Sequence, residues 1–459
     1  MANLGQGALA SGGSRRALVG FFISGLLLAF LGAILLAWEH HLTSDYGVVG
    51  LYFVGLITGM MIAVWASRRL LAKRGIRWTL SFACGLAGVA FLFLAFFSPP
   101  WPYLLRVFGM ALVGFAAGLL HTAIFTNISP MYRHDPAATV NLAGMLFGLG
   151  CLFVTVLIAG VFYMYNAPTM QVWIAIVPAL FGWMYWKSPV EHEPELPEEA
   201  PHAILQEIRS PAAVLFALVL FFQLGNEWAI AGWLPLFLTQ RLGISPATAL
   251  WMLALYWSAL LIGRVVSQAI LTQVRHSRLL LTTVACAILG CVILIATDNR
   301  FGAISGVLLV GAAFAPIYPL MVEKIGDRFP SYHPGQYNGI FSLAMAGGLL
   351  APCSLGYFAS ALGLQFVMAL PLMPSATGAT IGTFTWPSPR LDAIATGAIR
   401  CAESKMPILS LSRTFAHDTS RTSSISRPSA AANPLSTAIS SDVASQSGMK
   451  PIRNFLSLI

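Results

Sequence analysis

Apolar positions along this chain fall into long unbroken runs separated by short polar punctuation, with no single amphipathic stripe. The runs cover 17–38, 46–66, 79–97, 102–128, 138–163 and 170–187, and after a polar interval 211–238, 248–271, 278–297, 301–321 and 336–360. Each approaches or exceeds the roughly 20 residues that a helix needs to cross a bilayer. Only a helix or a closed barrel satisfies its own backbone in lipid, and continuous apolar runs lack the alternation of barrel strands. Eleven membrane helices are therefore expected. A weaker twelfth candidate, Leu364 to Trp386, is uncharged but interrupted by Pro371, Pro374 and several Ser, Thr and Gly. The expected fold is all-α and integral to the membrane, with two six-helix bundles.

Composition strengthens that reading. The 459 residues are 57% hydrophobic and 9% charged, against about 25% charged in soluble domains. The net charge of +9 would suggest nucleic acid in a soluble protein, but here the cations sit between spans and set orientation. With the amino terminus inside, Arg15, Arg16, Arg68, Arg69, Lys73, Arg74, Arg77, Arg133, Lys187, Arg209, Arg275, Arg278, Lys324 and Arg328 all fall in inside segments. Only Arg241 and Arg300 fall outside. A multi-pass cell-membrane protein (inner or plasma membrane) with a cytoplasmic amino terminus is expected, its first run a span and not a cleaved leader. The bilayer is its partner, and no nucleic acid is. Six cysteines form no CxxC pair, so neither a disulfide framework nor a metal site is indicated. No cofactor is expected beyond a proton gradient as energy source.

Four regions follow. Residues 1–187 form an amino-terminal bundle, 188–209 an acidic, Pro-rich cytoplasmic linker, and 210–372 a second bundle. Residues 373–459 hold the weak end of the twelfth span and a tail in which 25 of 87 residues are Ser or Thr. Because composition changes inside an expected span, a shifted reading frame near Pro371 is one reading of the tail; resequencing across codon 371 tests it. Two bundles joined by a linker is a transporter layout, with the solute held between them near the midplane.

Ionisable groups inside spans are costly and mark functional sites by default. Glu227 is the only carboxylate in the eleven runs. Its surroundings, Gln223, Gly225, Asn226, Trp228, Gly232, Trp233 and Pro235, combine helix-loosening residues with polar amides and flat aromatic faces suited to a sugar ring. A carboxyl group there can take up a proton and couple it to solute binding. His121 is the second candidate, able to exchange a proton or bind hydroxyls. Arg106 lies near an outer helix end where it could snorkel, and Arg264 reads as the holder of a gate or helix terminus. Asn141, Gln268, Gln336 and Asn338 could bond solute hydroxyls or neighbouring helices. No P-loop, metal-ligand cluster or nucleophile elbow is present, which disfavours an ATP-driven pump and an enzyme.

Several segments resemble the major facilitator superfamily and, within it, the fucose- and glucose-permease-like branch. Ala72-Lys73-Arg74-Gly75-Ile76-Arg77 is similar to the basic gating motif, with Ala72 in place of its acid, and Arg106-Val107-Phe108-Gly109 to the fourth-span motif. Leu120-His121-Thr122-Ala123 resembles the branch's Leu-Glu-Thr-Ala, Asn141-Leu142-Ala143 its fifth span, and Gly225-Asn226-Glu227 its seventh. Gly263-Arg264 and Ala315-Pro316-Ile317-Tyr318-Pro319 add two more matches, so the likeness covers about 17–371. It implies a monomeric, proton-coupled sugar symporter working by alternating access, with Gly75, Arg77, Arg106 and Arg264 in gating. Two departures stand out: His121 replaces the branch's glutamate, and Ala33 stands where a first-span acid is usual. Three alternatives are an antiporter exporting a drug-like cation attracted by Glu227, a membrane enzyme built on His121 and Glu227, and a non-transporting truncated product.

Overall fold

A computed structural model describes residues 12–43, 45–134, 136–188, 211–271, 274, 276–328 and 334–369. They form α1 (Gly12–Ile34), α2 (Tyr46–Phe96), α3 (Tyr103–His134), α4 (Pro136–Val161), α5 (Ala167–Lys187) and α6 (Pro211–Leu242). There follow α7 (Pro246–Leu271), α8 (His276–Ala296), α9 (Arg300–Phe314), α10 (Ile317–Arg328), α11 (Pro334–Leu362) and the short α12 (Phe366–Ala369). No strand occurs among the described residues.

Among the described residues, ten helical segments are long and apolar enough to cross a membrane, and they supply all eleven expected spans. Helix α2 runs 51 residues, about 75 Å at 1.5 Å per residue, more than twice the ~30 Å hydrocarbon thickness. At Gly75 the backbone turns to φ 76°, ψ 171°, a left-handed conformation open to glycine without a Cβ penalty. The break splits α2 into two spans. The run 301–321 is built by α9 and α10, which part at Ala315-Pro316, where proline withholds a backbone donor. Asn166 and Asn299 cap α5 and α9, each side-chain oxygen accepting a backbone N–H three residues on. The twelfth candidate span beyond Ala369 and the tail lie outside the described residues, as does the polar segment after Ser188.

Large apolar side chains stand exposed on the outer surface, among them Trp173, Leu180, Ile262 and Leu289. Such a surface is suited to acyl chains. Inside, helices meet through small residues, as membrane helices do when packing replaces the hydrophobic effect. Gly25 and Gly150 lie against the Phe147 and Phe22 carbonyls where α1 meets α4, and Gly59 and Gly114 against the Ala111 and Leu56 carbonyls where α2 meets α3. The first half is α1–α5; in the second, α6 packs on α11 and α9 on α7 and α8. The halves touch along α4–α7 and α2–α11.

Spans alternate in direction, so the molecule has a proximal face, where α1 starts, and a distal face, where α1 ends and α2 starts. At the distal face the halves are tightly joined. The Gln240 side-chain amide, at the end of α6, donates to the His40, His41 and Thr43 carbonyls at 3.3, 3.3 and 3.0 Å. Gly50 and Gly356 touch backbone to backbone, and Gly32 lies against the Ala231 carbonyl. Phe53 of the first half stacks on Trp233 of the second, centroids 6.1 Å apart.

Candidate functional site

The polar centre lies where α4 of the first half meets α6 and α7 of the second. Arg264, on α7, donates through Nη2 to Glu227 Oε1 at 3.2 Å and through Nη1 to the Gly144 carbonyl of α4 at 2.7 Å. One guanidinium thus ties an acid of one half to the backbone of the other. Both side chains are nearly sealed, at 3% exposed for Glu227 and 6% for Arg264. The absent side chain at Gly144 admits the guanidinium, since a Cβ there would come within 3.0 Å of Nη1.

Around this pair, several buried polar atoms have no protein partner: Glu227 Oε2, Arg264 Nε and Asn141 Oδ1. Asn141 precedes Gly144 by three residues and so lies on the same face of α4. Burying such groups without partners is unfavourable, so their concentration marks a place made to meet something polar. Tyr256 donates its hydroxyl to the Glu227 carbonyl at 3.3 Å, and Gln223 its amide to the Phe314 carbonyl at 3.4 Å. Asn226 is buried beside Glu227 and is engaged in an interaction of its own.

An aromatic path leads from this centre into the first half. Trp228 meets Trp257 on one side (centroids 6.5 Å) and Phe147 of α4 on the other (5.6 Å). Phe147 in turn neighbours His121, which lies among Phe21, Phe125 and Phe147. The His121 partner is Ser24 of α1, with Oγ 2.8 Å from Nδ1. His121 and Glu227 therefore belong to separate polar groups and form no catalytic couple.

Several placements differ from the sequence reading. Arg264, read as the holder of a gate or a helix terminus, pairs with the acid and with the Gly144 carbonyl inside α4. Trp233 is fully buried, its indole N–H donates to the Pro352 carbonyl at 2.9 Å, and it packs into the distal seam against Phe53. Arg106 does not snorkel: it is 7% exposed, with its guanidinium 5.5 and 5.6 Å from the Trp38 and Tyr52 ring centres, a stabilising cation–π arrangement. Tyr52 is also 3.2 Å from His40 Nε2, in the distal loop. Burial, with Arg106 nearby, pushes His40 down to about 4. Gly75 forms the break in α2, and Arg77 lies over Trp186 at 5.7 Å on the proximal side. The side chains of Asn338, Gln336 and Gln268 are outside the described residues.

Ser24, Gly144, Phe147, Tyr256 and Trp257 were not singled out from sequence. Ser24 interrupts an apolar run and could have been noticed. Gly144 acts through its carbonyl and its missing side chain, and one glycine among the many of the apolar runs does not stand out.

A multi-pass helical membrane protein with a polar centre between two packed halves has the architecture of a carrier. Residues 17–352 match the model of the Major Facilitator Superfamily. The chain belongs to that family, and is a membrane transporter and not an enzyme. It is 22% identical over 365 residues to an uncharacterized MFS-type transporter of Yersinia pestis, covering 78% of this chain and 93% of that one. It is 23% identical over 352 residues to a glucose/mannose transporter of Bacillus subtilis, covering 73% and 85%. A shorter match, 27% over 166 residues, is to a glucose/galactose transporter of Brucella abortus and covers 35% and 39%. Its fold is similar to that of a D-xylose-proton symporter, with TM-score 0.64, 14% identity and coverage of 81% and 96%. A nucleoside transporter is similar with TM-score 0.60, 13% identity and coverage of 81% and 100%.

Proposed function

We propose that this protein is a monomeric carrier moving a sugar, or a similar polyhydroxylated solute, across the plasma membrane by alternating access, in symport with a proton. Relatives named for glucose, galactose and mannose support the solute class. The observation that carries the reading is the Glu227–Arg264–Gly144 link, in which one acid able to hold a proton sits where the two halves meet. The proximal face, which bears most of the basic residues, is the cytoplasmic side.

The chemistry couples naturally. A proton on Glu227 removes its negative charge and weakens its hold on Arg264. The donor so released, with Arg264 Nε and the Asn141 oxygen, matches the donor and acceptor needs of sugar hydroxyls. Solute then binds better to the protonated site, and by linkage the proton binds better to the solute-loaded one. The distal seam is closed, and in this reading the load is exchanged on the proximal side. No cofactor takes part; the proton gradient supplies the energy.

Uptake of a radiolabelled hexose panel into proteoliposomes, with and without an inward proton gradient, tests this on the wild type and on Glu227→Gln. Gradient-driven accumulation is expected in the wild type. The variant should lose it while retaining some downhill exchange. Undiminished uphill uptake by Glu227→Gln would remove Glu227 from the coupling, and failure of the wild type to carry any hexose would refute the solute class.

A further inference from the structure

The Glu227–Arg264 pair fixes more than coupling, because it fixes the charge a solute meets. Arginine keeps its proton in proteins, so Arg264 contributes a constant positive charge. Glu227 contributes a negative one only when unprotonated. At 3.2 Å and with both side chains nearly sealed from solvent, the two act as one unit. Its net charge is zero without a proton on Glu227 and positive with one. In neither state is it negative. Among the described residues, Arg264 is the charged side chain paired with Glu227; Arg106 is engaged with Trp38 and Tyr52 near the distal end, and Glu323 pairs with His276 toward the proximal end. The neighbours that complete the site, Asn141, Gln223, Tyr256, Trp228 and Trp257, are uncharged.

We infer that Arg264 is the residue that sets the charge class of the transported solute. It cancels the attraction Glu227 would exert on a cation, which removes the basis for a drug-cation antiporter. The carrier accepts uncharged sugars in either protonation state of the site. It accepts an acidic sugar only when Glu227 holds a proton, and it rejects amino sugars in their cationic form. This inference rests on the sugar reading above.

The test is competition, in proteoliposomes, between a radiolabelled neutral hexose and two charged analogues, glucuronate and protonated glucosamine. In the wild type, glucosamine should compete at least about tenfold more weakly than the neutral hexose, the scale set by one unpaired charge in a partly shielded site. Arg264→Gln should shift the glucosamine-to-glucuronate ranking toward glucosamine by at least about tenfold, and Glu227→Gln should shift it the opposite way. The double variant Glu227→Gln/Arg264→Gln carries no lone buried charge and keeps the inference testable if a single variant fails to fold. Its discrimination between the two analogues should collapse. A wild type that carries neutral hexose, with the same charge ranking in every folded variant, would overturn the role of Arg264 alone. A wild type that carries no hexose, neutral or charged, would overturn the sugar reading and this inference with it.

Discussion

The two halves of this transporter meet at the distal seam and at the polar centre by different physical means. At the distal seam the contacts are of shape: glycine backbone on glycine backbone, Phe53 on Trp233, and one amide on three carbonyls. At the centre the contact is of charge: a guanidinium shared between Glu227 and the Gly144 carbonyl, with unpartnered polar atoms around it. Contacts of the first kind carry no group that a proton or a hydroxyl would change, whereas the second kind is built of such groups. In the proposed cycle the central contact is therefore where binding acts, and the seam is what it acts against.

The comparison breaks first at Arg264. Arg264→Met strands a buried carboxylate, and a loss of about 3–5 kcal/mol is expected. Thermal unfolding in detergent should show it, with most of the stability returned in Glu227→Gln/Arg264→Met. If the single variant is as stable as the wild type, the central link does not bear on the fold. Next comes Gly356→Leu, where the added side chain meets the Gly50 backbone and cannot be relieved by a rotamer change. Overpacking of this kind costs about 1–3 kcal/mol. The distal seam should open, so that a cysteine placed at Ala231 reacts with a membrane-impermeant maleimide in the variant and not in its parent.

Trp233→Phe keeps an aromatic ring for Phe53 but loses the bond to Pro352. About 1 kcal/mol of stability should go, with the hexose KM within about twofold of wild type, as befits a packing residue. A large rise in KM would return Trp233 to the binding site. The smallest effect concerns His40. Neutral His40 is favoured in the folded protein, at about 4, against about 6.5 in an unfolded chain. Between those values the unfolded chain binds a proton that the folded one does not. The stability it contributes is present above about 6.5 and is lost as pH falls toward 4. His40→Phe should flatten that part of the stability profile, and an unaltered acid limb would place the titration elsewhere.

The spans were legible because lipid imposes a crude and absolute demand, length and apolarity, that residue identity reports directly. The break at Gly75 was equally readable, since it falls in a basic interval between two runs. The site was half legible. Glu227 and Arg264 each stood out as a charge in an apolar run, but their pairing depends on how α6 and α7 pack. Gly144 could not be picked out, as its carbonyl and its missing side chain matter only once α7 brings Arg264 against α4. The placement of Trp233 was not legible for a related reason: an indole suits a sugar face and a helix seam alike, and its packing on Phe53 and bond to Pro352 depend on how the helices meet. Arg106 was expected to reach for water, yet Trp38 and Tyr52 offer its cation a buried alternative.

Gln240 offers two amide hydrogens to three carbonyl oxygens. At a water-facing end, every one of those oxygens, and the amide itself, finds a replacement partner as soon as the seam parts. Releasing such a latch exchanges like for like, so it adds little to the barrier for opening and little to the drive for closing. In the proposed cycle Gln240 is thus a catch that registers alignment of the halves, while the packing of Gly50, Gly356, Phe53 and Trp233 around it is what holds them together.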